Sequence, residues 1–242
     1  MRSVLVVGIG AGSPGHLTLQ AVAAIGRADV FLLLDKGTAP ALVALRSQII
    51  AAHGRADASV VVVDDPPRDR TPADYRGEVA SWHAARAEAI SAVLQGLPAS
   101  STVAFLVWGD PSLYDSTLRV LSLLDAEIAV EVVPGITAVQ ALTAAHRTTL
   151  NRVGAPVTVT TGRQLRTTGL GDEDVVVMLD GGSAWEVAPD AEIVWGANVG
   201  TSEEVLVRGR VADVADVIAA AKAAVRDRAG WVMDTYLLRR RP

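Results

Sequence analysis

The sequence lacks several residue types and patterns on which whole classes of function depend. It contains no cysteine, so disulfide bonds, thiolate zinc sites and cysteine nucleophiles are excluded. Aromatic residues make up only 4% of the 242 residues. No apolar run reaches the roughly 18 residues of a membrane-spanning helix. The four histidines, His16, His53, His83 and His146, show no metal-ligand spacing, and we expect no metal site.

The composition favours a large buried core and a small-molecule ligand. Half of the residues are apolar, and the formal net charge is −5. This charge argues against nucleic acid or an anionic membrane as the main partner. The chain opens on a strand-like run, without the basic start and apolar stretch of a signal peptide. We therefore expect a cytoplasmic protein that binds neither nucleic acid nor membrane.

In the first half, short apolar runs alternate with alanine-rich helical patterns. This alternation is typical of an α/β fold with mostly parallel strands. The predicted strands are Val4–Gly8, Val30–Leu34, Val60–Val63 and Val103–Trp108, and the predicted helices lie near Leu17–Gly26, Ala39–Ala52 and Glu78–Leu94.

The second half has several strands separated by short turns, which indicates a mixed sheet. The predicted strands are Ala129–Val133, Val157–Thr161, Val175–Leu179, Glu192–Trp195, Val205–Val211 and Trp231–Leu238. A late helix over Val211–Val225 places five apolar residues on one face: Val214, Val217, Ile218, Ala221 and Val225. We predict two α/β domains, an N-terminal one over 1–109 with a mostly parallel sheet and a C-terminal one over 110–242 with a mixed sheet.

The first strand runs into a glycine-rich turn, GIGAGSPG, over Gly8–Gly15. Glycines without a Cβ let the backbone turn tightly or approach a ligand closely. The dinucleotide-binding fingerprint G-x-G-x-x-G would need a third glycine at position 13, where this chain has Ser13. The turn indicates a nucleotide-like ligand. An NAD-dependent oxidoreductase, with Asp35 on the ribose, stays open as an alternative.

Three further turns follow predicted strands. They are WGDPSLYDS over Trp108–Ser116, VPGITA over Val133–Ala138, and TTGR over Thr160–Arg163. Ligands of open α/β sheets bind outside the carboxyl ends of the strands, where such turns gather. Each turn alone has an ordinary structural explanation. Their joint occurrence predicts a ligand site.

In order and spacing, these turns resemble those of the tetrapyrrole (corrin/porphyrin) methyltransferases, and the resemblance covers essentially the whole chain. The opening turn departs from the usual family pattern at Ala11, Ser13 and His16. These departures, together with DYRGEVASWHAARA over Asp74–Ala87 and WVMDTYLLRR over Trp231–Arg240, resemble one branch of the family. Alternatives within the family are methylation of uroporphyrinogen, another precorrin, ribosomal RNA or an elongation factor. A non-catalytic tetrapyrrole carrier is an alternative outside catalysis.

The resemblance implies two α/β domains with a cleft between them, a homodimer, and S-adenosylmethionine as the methyl donor, with S-adenosylhomocysteine as product. The cofactor would lie folded in the cleft, held mostly by backbone atoms. Carried over by position, the cofactor-binding residues would be Gly10, Ala11, Trp108, Gly109, Asp110, Leu113, Thr137, Ala138, Met178, Val199 and Gly200.

The branch implied by the resemblance belongs to aerobic cobalamin biosynthesis. It methylates carbon 1 of a ring-contracted precursor while an acetyl group on that carbon leaves as acetate. Water attack on the acetyl carbonyl needs a general base and an oxyanion donor. The catalytic candidates are Asp35, His16 and Tyr114. Their structural alternatives are a turn cap or a pair with Lys36 for Asp35, a first-turn helix residue for His16, and packing on the adenine for Tyr114.

A substrate with several carboxylates predicts cations near the cleft, although a solvated surface role is the alternative for each one. The candidates are Lys36, Arg68, Arg70, Arg76, Arg147, Arg163 and Arg166. We expect Arg239–Arg241 to be a solvated tail and Asp110 to shape its loop. For His83 we expect a structural role, and for His53 and His146 capping or surface positions.

Overall fold

The computed structural model describes residues 1–35, 40–69 and 72–240. The chain forms two compact units, and each unit is built from two separate stretches of the sequence. The first unit consists of Met1–Gly10 and Pro14–Ile136. The second consists of Ala11–Ser13 and the chain from Thr137 onward.

The described part of the first unit contains a five-stranded parallel sheet in the order β3-β2-β4-β1-β5. The strands are β1 (Arg2–Gly8), β2 (Val30–Asp35), β3 (Ser59–Asp64), β4 (Thr102–Val107) and β5 (Ile128–Val133). The helices are α1 (Leu19–Ile25), α2 (Pro40–His53), α3 (Tyr75–Gly96) and α4 (Thr117–Leu121), and a short 3-10 helix spans Pro14–His16.

Helices cover both faces of this sheet. Successive side chains of a strand point to opposite faces. Leu5 and Val7 therefore share one core with residues of α1 and α2, while Val4 and Val6 share the other with residues of α3 and α4. A parallel sheet covered in this way has strands that are apolar throughout. This explains why the strands of this unit were readable from short apolar runs.

The strand order defines where a ligand of this unit would bind. After β1 the chain enters α1, which packs on one face of the sheet, and after β4 it enters α4, which packs on the other face. The connections that follow the neighbouring strands β1 and β4 therefore go to opposite faces. In open α/β sheets, such a switch point leaves a crevice at the carboxyl ends of the two strands. The glycine turn after β1 and the WGDP turn after β4 meet at this point.

The described part of the second unit contains a mixed sheet, as predicted. Its strand order is β6-β7-β10-β8-β9. Only β6 and β7 pair in parallel. The strands are β6 (Val157–Thr161), β7 (Asp174–Met178), β8 (Glu192–Ala197), β9 (Val205–Arg210) and β10 (Asp234–Arg239). The helices are α5 (Ala138–Ala145), α6 (Gly162–Thr168) and α7 (Val211–Ala229), with a 3-10 helix at Ala184–Val187. Trp185, Trp195 and Tyr236 lie in its core.

The structure corrects the predicted domain boundary at Gly109–Asp110. The strand β5, expected in the C-terminal domain, pairs along its whole length with β1 in the first sheet. The first unit therefore ends after β5, at Ile136. The sequence pattern contained the strand but not its partner, because pairing in a parallel sheet joins residues far apart in the chain.

Smaller corrections concern α4, α5 and α6, which were not predicted, and the start of the last strand. That strand begins at Asp234 and not at Trp231. The backbone N–H of Met233 donates to the Asn198 side chain and not to the backbone of a neighbouring strand. Among the described residues, no helix is long and apolar enough to cross a membrane.

Candidate active site

The turns after β1 and β4 are joined through two glycines. The Gly109 N–H donates to the Gly10 carbonyl at 2.8 Å, and the Gly10 N–H donates to the Gly109 carbonyl at 3.3 Å. Both residues have left-handed φ values, 83° at Gly10 and 70° at Gly109. Side chains are strained in this conformation, so both positions require glycine. The two predicted cofactor turns are thus one structure at the switch point.

The missing Cβ atoms in these turns make room for protein backbone. A Cβ on Gly8 would lie 2.7 Å from the Gly135 nitrogen and 2.8 Å from the Gly109 oxygen. A Cβ on Gly135 would overlap the Gly109 oxygen. The turns after β1, β4 and β5 therefore pack backbone against backbone. At Gly8 the missing Cβ serves the close packing of the chain, the first of the two explanations that the sequence offered for these glycines.

The Asp110 side chain joins two of these turns, those after β4 and β5, as expected for a loop-shaping residue. One carboxylate oxygen accepts from the Ser112 N–H at 2.8 Å, and the other accepts from the Gly135 N–H at 2.8 Å. Partial burial acts to raise the pKa of Asp110, but the hydrogen bonds from Ser112 and Gly135 outweigh it and lower the pKa. The carboxylate is ionised and committed to the loop.

Tyr114 presents its side chain at the end of this loop. Its φ of 53° is left-handed, which is unusual for a residue other than glycine, and its exposed fraction is 42%. Burial of the remainder raises the pKa of the Tyr114 phenol, so it is neutral and able to donate a hydrogen bond. Leu113, one residue earlier, is half-buried, and its N–H donates to the Asp110 carbonyl.

Asp35 is the last residue of β2, where the sheet opens. β2 pairs with β4 only at Val30 and Phe31, so the two strands part before Asp35. Arg46 of α2 donates from Nε to the carbonyl of Leu106 in β4 at 3.1 Å. Burial lowers the pKa of Arg46, while the charges of Asp115 and Asp35 oppose this effect. Asp35 therefore lies within the electrostatic reach of a partly buried arginine. Lys36, its expected alternative partner, lies outside the described residues.

His16 closes the 3-10 helix that follows the first turn. The Cβ of His16 occupies the space into which a Cβ on Gly10 would project. Its ring is half-buried. The side chain thus packs against the turn from within the first unit, which agrees with the structural alternative and leaves the catalytic one as a prediction.

In the second unit, the structure brings together two of the predicted cofactor segments. Ala11 is buried, and a Cβ on Gly12 would lie 2.5 Å from the Thr201 methyl and 3.0 Å from the Val199 oxygen. Gly200 has a left-handed φ of 83°, and its N–H donates to the Glu204 carboxylate at 2.7 Å. Residues 11–13 therefore lie against the turn that contains Val199 and Gly200.

Thr137 and Ala138 begin α5 in this unit, and Met178 ends β7. The Thr137 hydroxyl accepts from the Val139 N–H at 3.1 Å, which caps the helix. Met178 is half-buried and precedes Leu179, which has a φ of 55° and an exposed fraction of 64%. Both positions lie at the ends of regular elements, and their contact with a cofactor stays a prediction.

The turn after Met178 is anchored by a buried polar network that the sequence did not reveal. The Asp180 side chain is fully buried and accepts from the Tyr236 hydroxyl at 2.9 Å and from the Ala184 N–H at 2.7 Å. Lys222 donates from Nζ to the Asp180 carbonyl at 2.7 Å and to the Asp234 carboxylate at 2.8 Å. Burial raises the pKa of both Asp234 and Tyr236.

Some of the cations expected near the site have structural partners. Arg166 pairs with buried Asp180 at 3.0 Å, so a substrate role for it is not supported. The expectation of a solvated tail was wrong for Arg239, which pairs with fully buried Asp174 at 3.1 Å, whereas Arg240 is exposed, as expected, and donates to the Leu170 carbonyl. The tail prediction failed because β10 extends to Arg239. Lys36, Arg70 and Arg241 lie outside the described residues.

One buried ion pair at the sheet edge was missed from the sequence. Arg86 of α3 donates from Nε and Nη2 to both oxygens of Asp65 at 2.5 Å, and from Nη1 to the Ser116 hydroxyl at 2.9 Å. Asp65 follows β3, and Ser116 precedes α4. In the sequence, Arg86 drew attention only as part of the DYRGEVASWHAARA segment that resembles one branch of the family. The spacing Glu-x-x-x-Trp-x-x-x-Arg from Glu78 to Arg86 gives no local sign of burial.

The family model of the Tetrapyrrole (Corrin/Porphyrin) Methylases matches residues 3–215. The chain belongs to this family. It is 44% identical over 250 residues to precorrin-6A synthase [deacetylating] of Sinorhizobium sp, covering 99% of this chain and 96% of that protein. Membership of this family argues against the alternative of an NAD-dependent oxidoreductase.

Solved structures agree with this assignment. A putative cobalamin synthesis related protein (CobF) from Corynebacterium diphtheriae matches with a TM-score of 0.84 and 42% identity over 99% of this chain and 98% of its own. Uroporphyrin-III-C-methyltransferase from Thermus thermophilus matches with a TM-score of 0.64 and 25% identity over 99% and 92% of the two chains. The fold of two α/β units is thus the fold of tetrapyrrole methylases.

Proposed function

We propose that this protein is a precorrin-6A synthase (deacetylating) of aerobic cobalamin biosynthesis. It transfers a methyl group from S-adenosylmethionine to carbon 1 of precorrin-5 and releases acetate. The observation that carries the proposal is the 44% identity to precorrin-6A synthase over nearly the full length of both chains. The joined turns at the switch point support it, since they are where an α/β sheet of this kind binds its ligand.

The residues at the predicted cofactor positions fit a ligand that is recognised through backbone atoms. Gly10, Gly109 and Gly200 have no side chain, and Ala11 has only a methyl group. When bound, S-adenosylmethionine supplies an electrophilic methyl group on a sulfonium. The protein's task is to hold the accepting carbon about 3–3.5 Å from that methyl group in line with the leaving sulfur. Rigid turns suit this task, and Asp110 and the Gly10–Gly109 pair make these turns rigid.

For the deacetylation we propose Asp35 as the general base and Tyr114 as the oxyanion donor. Asp35 removes a proton from water while the water oxygen adds to the acetyl carbonyl carbon. The neutral Tyr114 phenol donates to the oxygen that becomes negative. The bond from the acetyl carbon to carbon 1 then breaks, and its electron pair stays on carbon 1, which takes the methyl group. The acetyl group leaves as acetic acid, which ionises, so the products are acetate, precorrin-6A and S-adenosylhomocysteine, with one proton of the water on Asp35 and the other released to solvent.

The decisive experiment is incubation of the protein with precorrin-5 and S-adenosylmethionine. Mass analysis should show a methylated and deacetylated product, and an enzymatic assay should show acetate in equal amount. Methylation without acetate would contradict the assignment to precorrin-6A synthase and would leave membership of the methylase family intact.

The role of Asp35 is tested by Asp35→Asn. The variant keeps the shape of the side chain but cannot accept the proton, so we expect product formation to fall by about 10²–10⁴-fold. The Kd of S-adenosylhomocysteine, measured by calorimetry, should not change. Unchanged turnover would eliminate Asp35 as the base and leave His16, beside Gly10, as the remaining candidate.

We also propose the homodimer and the cytoplasmic location that the family resemblance implies. Light scattering of the purified protein tests the homodimer. A monomer at assay concentration with full activity would contradict it.

A further inference from the structure

Trp82 of α3 contacts two arginines near the carboxyl ends of the strands of the first sheet. The Arg86 guanidinium lies 3.7 Å from the centre of the Trp82 ring, and that of Arg68 lies 5.2 Å from it. Arg68 also lies 5.2 Å from the Tyr75 ring. The Trp82 indole donates to the Pro66 carbonyl at 2.9 Å, which fixes the ring. We call Arg68, Tyr75, Trp82, His83, Arg86 and Arg119 the Trp82 cluster.

The charges in the Trp82 cluster are only partly neutralised. Arg86 is buried and bound to Asp65 and Ser116, so its charge serves the fold. Among the described residues, neither Arg68 nor Arg119 forms an ion pair. The Arg68 Nε is buried, and within the described part of the chain no acceptor satisfies it.

His83 reports the electrostatic balance of the cluster. Burial lowers the pKa of His83, and the charges of Arg86, Arg119 and Arg68 lower it further. Of the nearby carboxylates, Asp65 pairs with Arg86, while Glu78 accepts from the Asp69 N–H and Asp74 caps α3. The Trp82 cluster therefore brings the guanidinium groups of Arg68, Arg86 and Arg119 close to His83, on a chain whose formal net charge is −5.

The position of the cluster connects it with the candidate active site. Pro66 and Asp65 directly follow β3, and Ser116 directly precedes α4, at the end of the loop that carries Tyr114. The Arg86 contacts tie both segments to α3 within the same unit. A ligand at the carboxyl edge of this sheet that carries peripheral anionic groups would meet the cations of the cluster.

We propose that Arg68 and Arg119 form a subsite for peripheral carboxylates of the tetrapyrrole substrate, with Trp82 as its platform. The inference rests on the proposed function, which supplies a substrate with several carboxylates. Guanidinium groups bind carboxylates through paired hydrogen bonds. Stacking of Arg68 between aromatic rings restricts its rotamers before the ligand arrives, which reduces the entropy lost on binding.

A binding experiment tests the subsite without any catalysis. The probe is uroporphyrin III, a stable porphyrin rich in carboxylates, titrated in the presence of S-adenosylhomocysteine and followed by its fluorescence. We expect Arg68→Gln and Arg119→Gln each to weaken binding about tenfold. Arg226→Gln, which removes an exposed arginine from α7 of the second unit, is the matched control and should bind as the wild type does.

His83 provides a second measurement. Binding of the anionic probe should raise the pKa of the His83 imidazole, followed by NMR, because the probe offsets the neighbouring arginine charges. Arg119→Gln should reduce that change. Since Arg119 is exposed, this variant keeps the fold, and Arg68→Lys tests whether charge without stacking is sufficient. Binding of uroporphyrin III that is unaffected by both glutamine variants would overturn the subsite.

An activity measurement separates failure of the subsite from failure of the proposed function. With precorrin-5, the two variants should raise KM about tenfold while kcat and the Kd of S-adenosylhomocysteine stay unchanged. Normal wild-type activity with unaffected variants would overturn the subsite alone. No precorrin-6A from the wild type, with porphyrin binding that depends on both arginines, would overturn the proposed function alone.

Discussion

At the scale of single residues, Gly135 has no room for a side chain. Its Cβ would overlap the carbonyl oxygen of Gly109, and both partners are backbone, so neither can move without displacing a turn. We expect Gly135→Ala to lower the free energy of unfolding by about 1–3 kcal/mol, the usual cost of overpacking. Urea unfolding measures this loss, and calorimetry should show weaker S-adenosylhomocysteine binding.

The matched control for Gly135 is Gly96, the last residue of α3. A Cβ there would meet nothing within 4 Å. Gly96→Ala should therefore leave the protein as stable as the wild type or stabilise it by up to about 1 kcal/mol. Equal losses in both variants would show that the close packing of the three turns does not limit substitution.

Lys222 and Asp234 provide a prediction with a defined pH dependence. Burial raises the pKa of Asp234 from 3.8, and the charge of Lys222 opposes this effect. Lys222→Met removes the opposing charge and leaves a buried carboxylate, which costs about 3–5 kcal/mol at neutral pH. The folded variant holds the Asp234 proton more tightly than the unfolded chain does. Its stability should therefore fall relative to wild type as the pH rises above the ordinary pKa of a free aspartate and through the raised pKa of Asp234 in the folded variant.

Urea unfolding of Lys222→Met at several pH values measures this dependence. The control is the double variant Lys222→Met/Asp234→Asn, in which no carboxylate can ionise at this position. It should lose the extra pH dependence of the single variant. A single variant whose loss of stability is the same at acid and neutral pH would contradict the assignment to Asp234.

Helix α7, which carries Lys222, shows why the burial of single residues could be predicted only in part. Helical spacing identified Ile218 and Val225, which are buried, but it also included Val217, which is 55% exposed. Lys222 is buried instead. Helical periodicity predicts burial from the hydropathy of the residues. Lys222 is charged and is nevertheless buried, because its ammonium group donates to three oxygens, those of Asp180, Gly182 and Asp234. Those acceptors come from distant strands and turns, so no local pattern contains them.

At the scale of elements, Arg86 holds three segments together. It joins α3 to the segment after β3 through Asp65 and to the start of α4 through Ser116. The Asp65 side chain is only 3% exposed. We expect Arg86→Met to destabilise the first unit by about 3–5 kcal/mol, since it leaves the Asp65 charge buried without its partner. Hydrogen exchange should increase first near Asp65 and in α4.

The double variant Arg86→Met/Asp65→Asn separates the ion pair from the packing of Arg86 on Trp82. Removing both charges should recover much of the lost stability, because no unpaired carboxylate remains buried. If the double variant is as unstable as the single one, the stacking contact rather than the ion pair holds these segments.

The elements differ in how far the sequence could predict them. Strands β1 and β4 were identified because a buried parallel strand is apolar throughout, and their turns because the left-handed positions 10 and 109 need glycine. The correct unit for β5 could not be inferred, since its partner β1 lies at the other end of the unit's sequence. The short helices α4 and α6 span too few residues to show a period.

At the scale of the whole molecule, the chain path links the two units. Ala11–Ser13 belong to the second unit, although Gly10 and Pro14 on either side belong to the first. Gly12 lies against Val199 and Thr201. A fragment that begins at Thr137 would lack this contact. The glycine turn, which on sequence alone was a ligand loop of the first domain, therefore contributes to the fold of both units.

This chain path and the proposed cofactor contacts predict how a ligand stabilises the protein. The proposed contacts include Gly10 and Gly109 in the first unit, and Thr137 and Met178 in the second. S-adenosylhomocysteine at about 100 times its Kd should add about 2.7 kcal/mol to the stability of any unit that cannot bind it when unfolded. Hydrogen exchange should therefore slow in β1 and β4 and also in β7 and α5. Protection confined to β1 and β4 would contradict Thr137 and Met178 as contacts, while protection that includes β7 and α5 would support them.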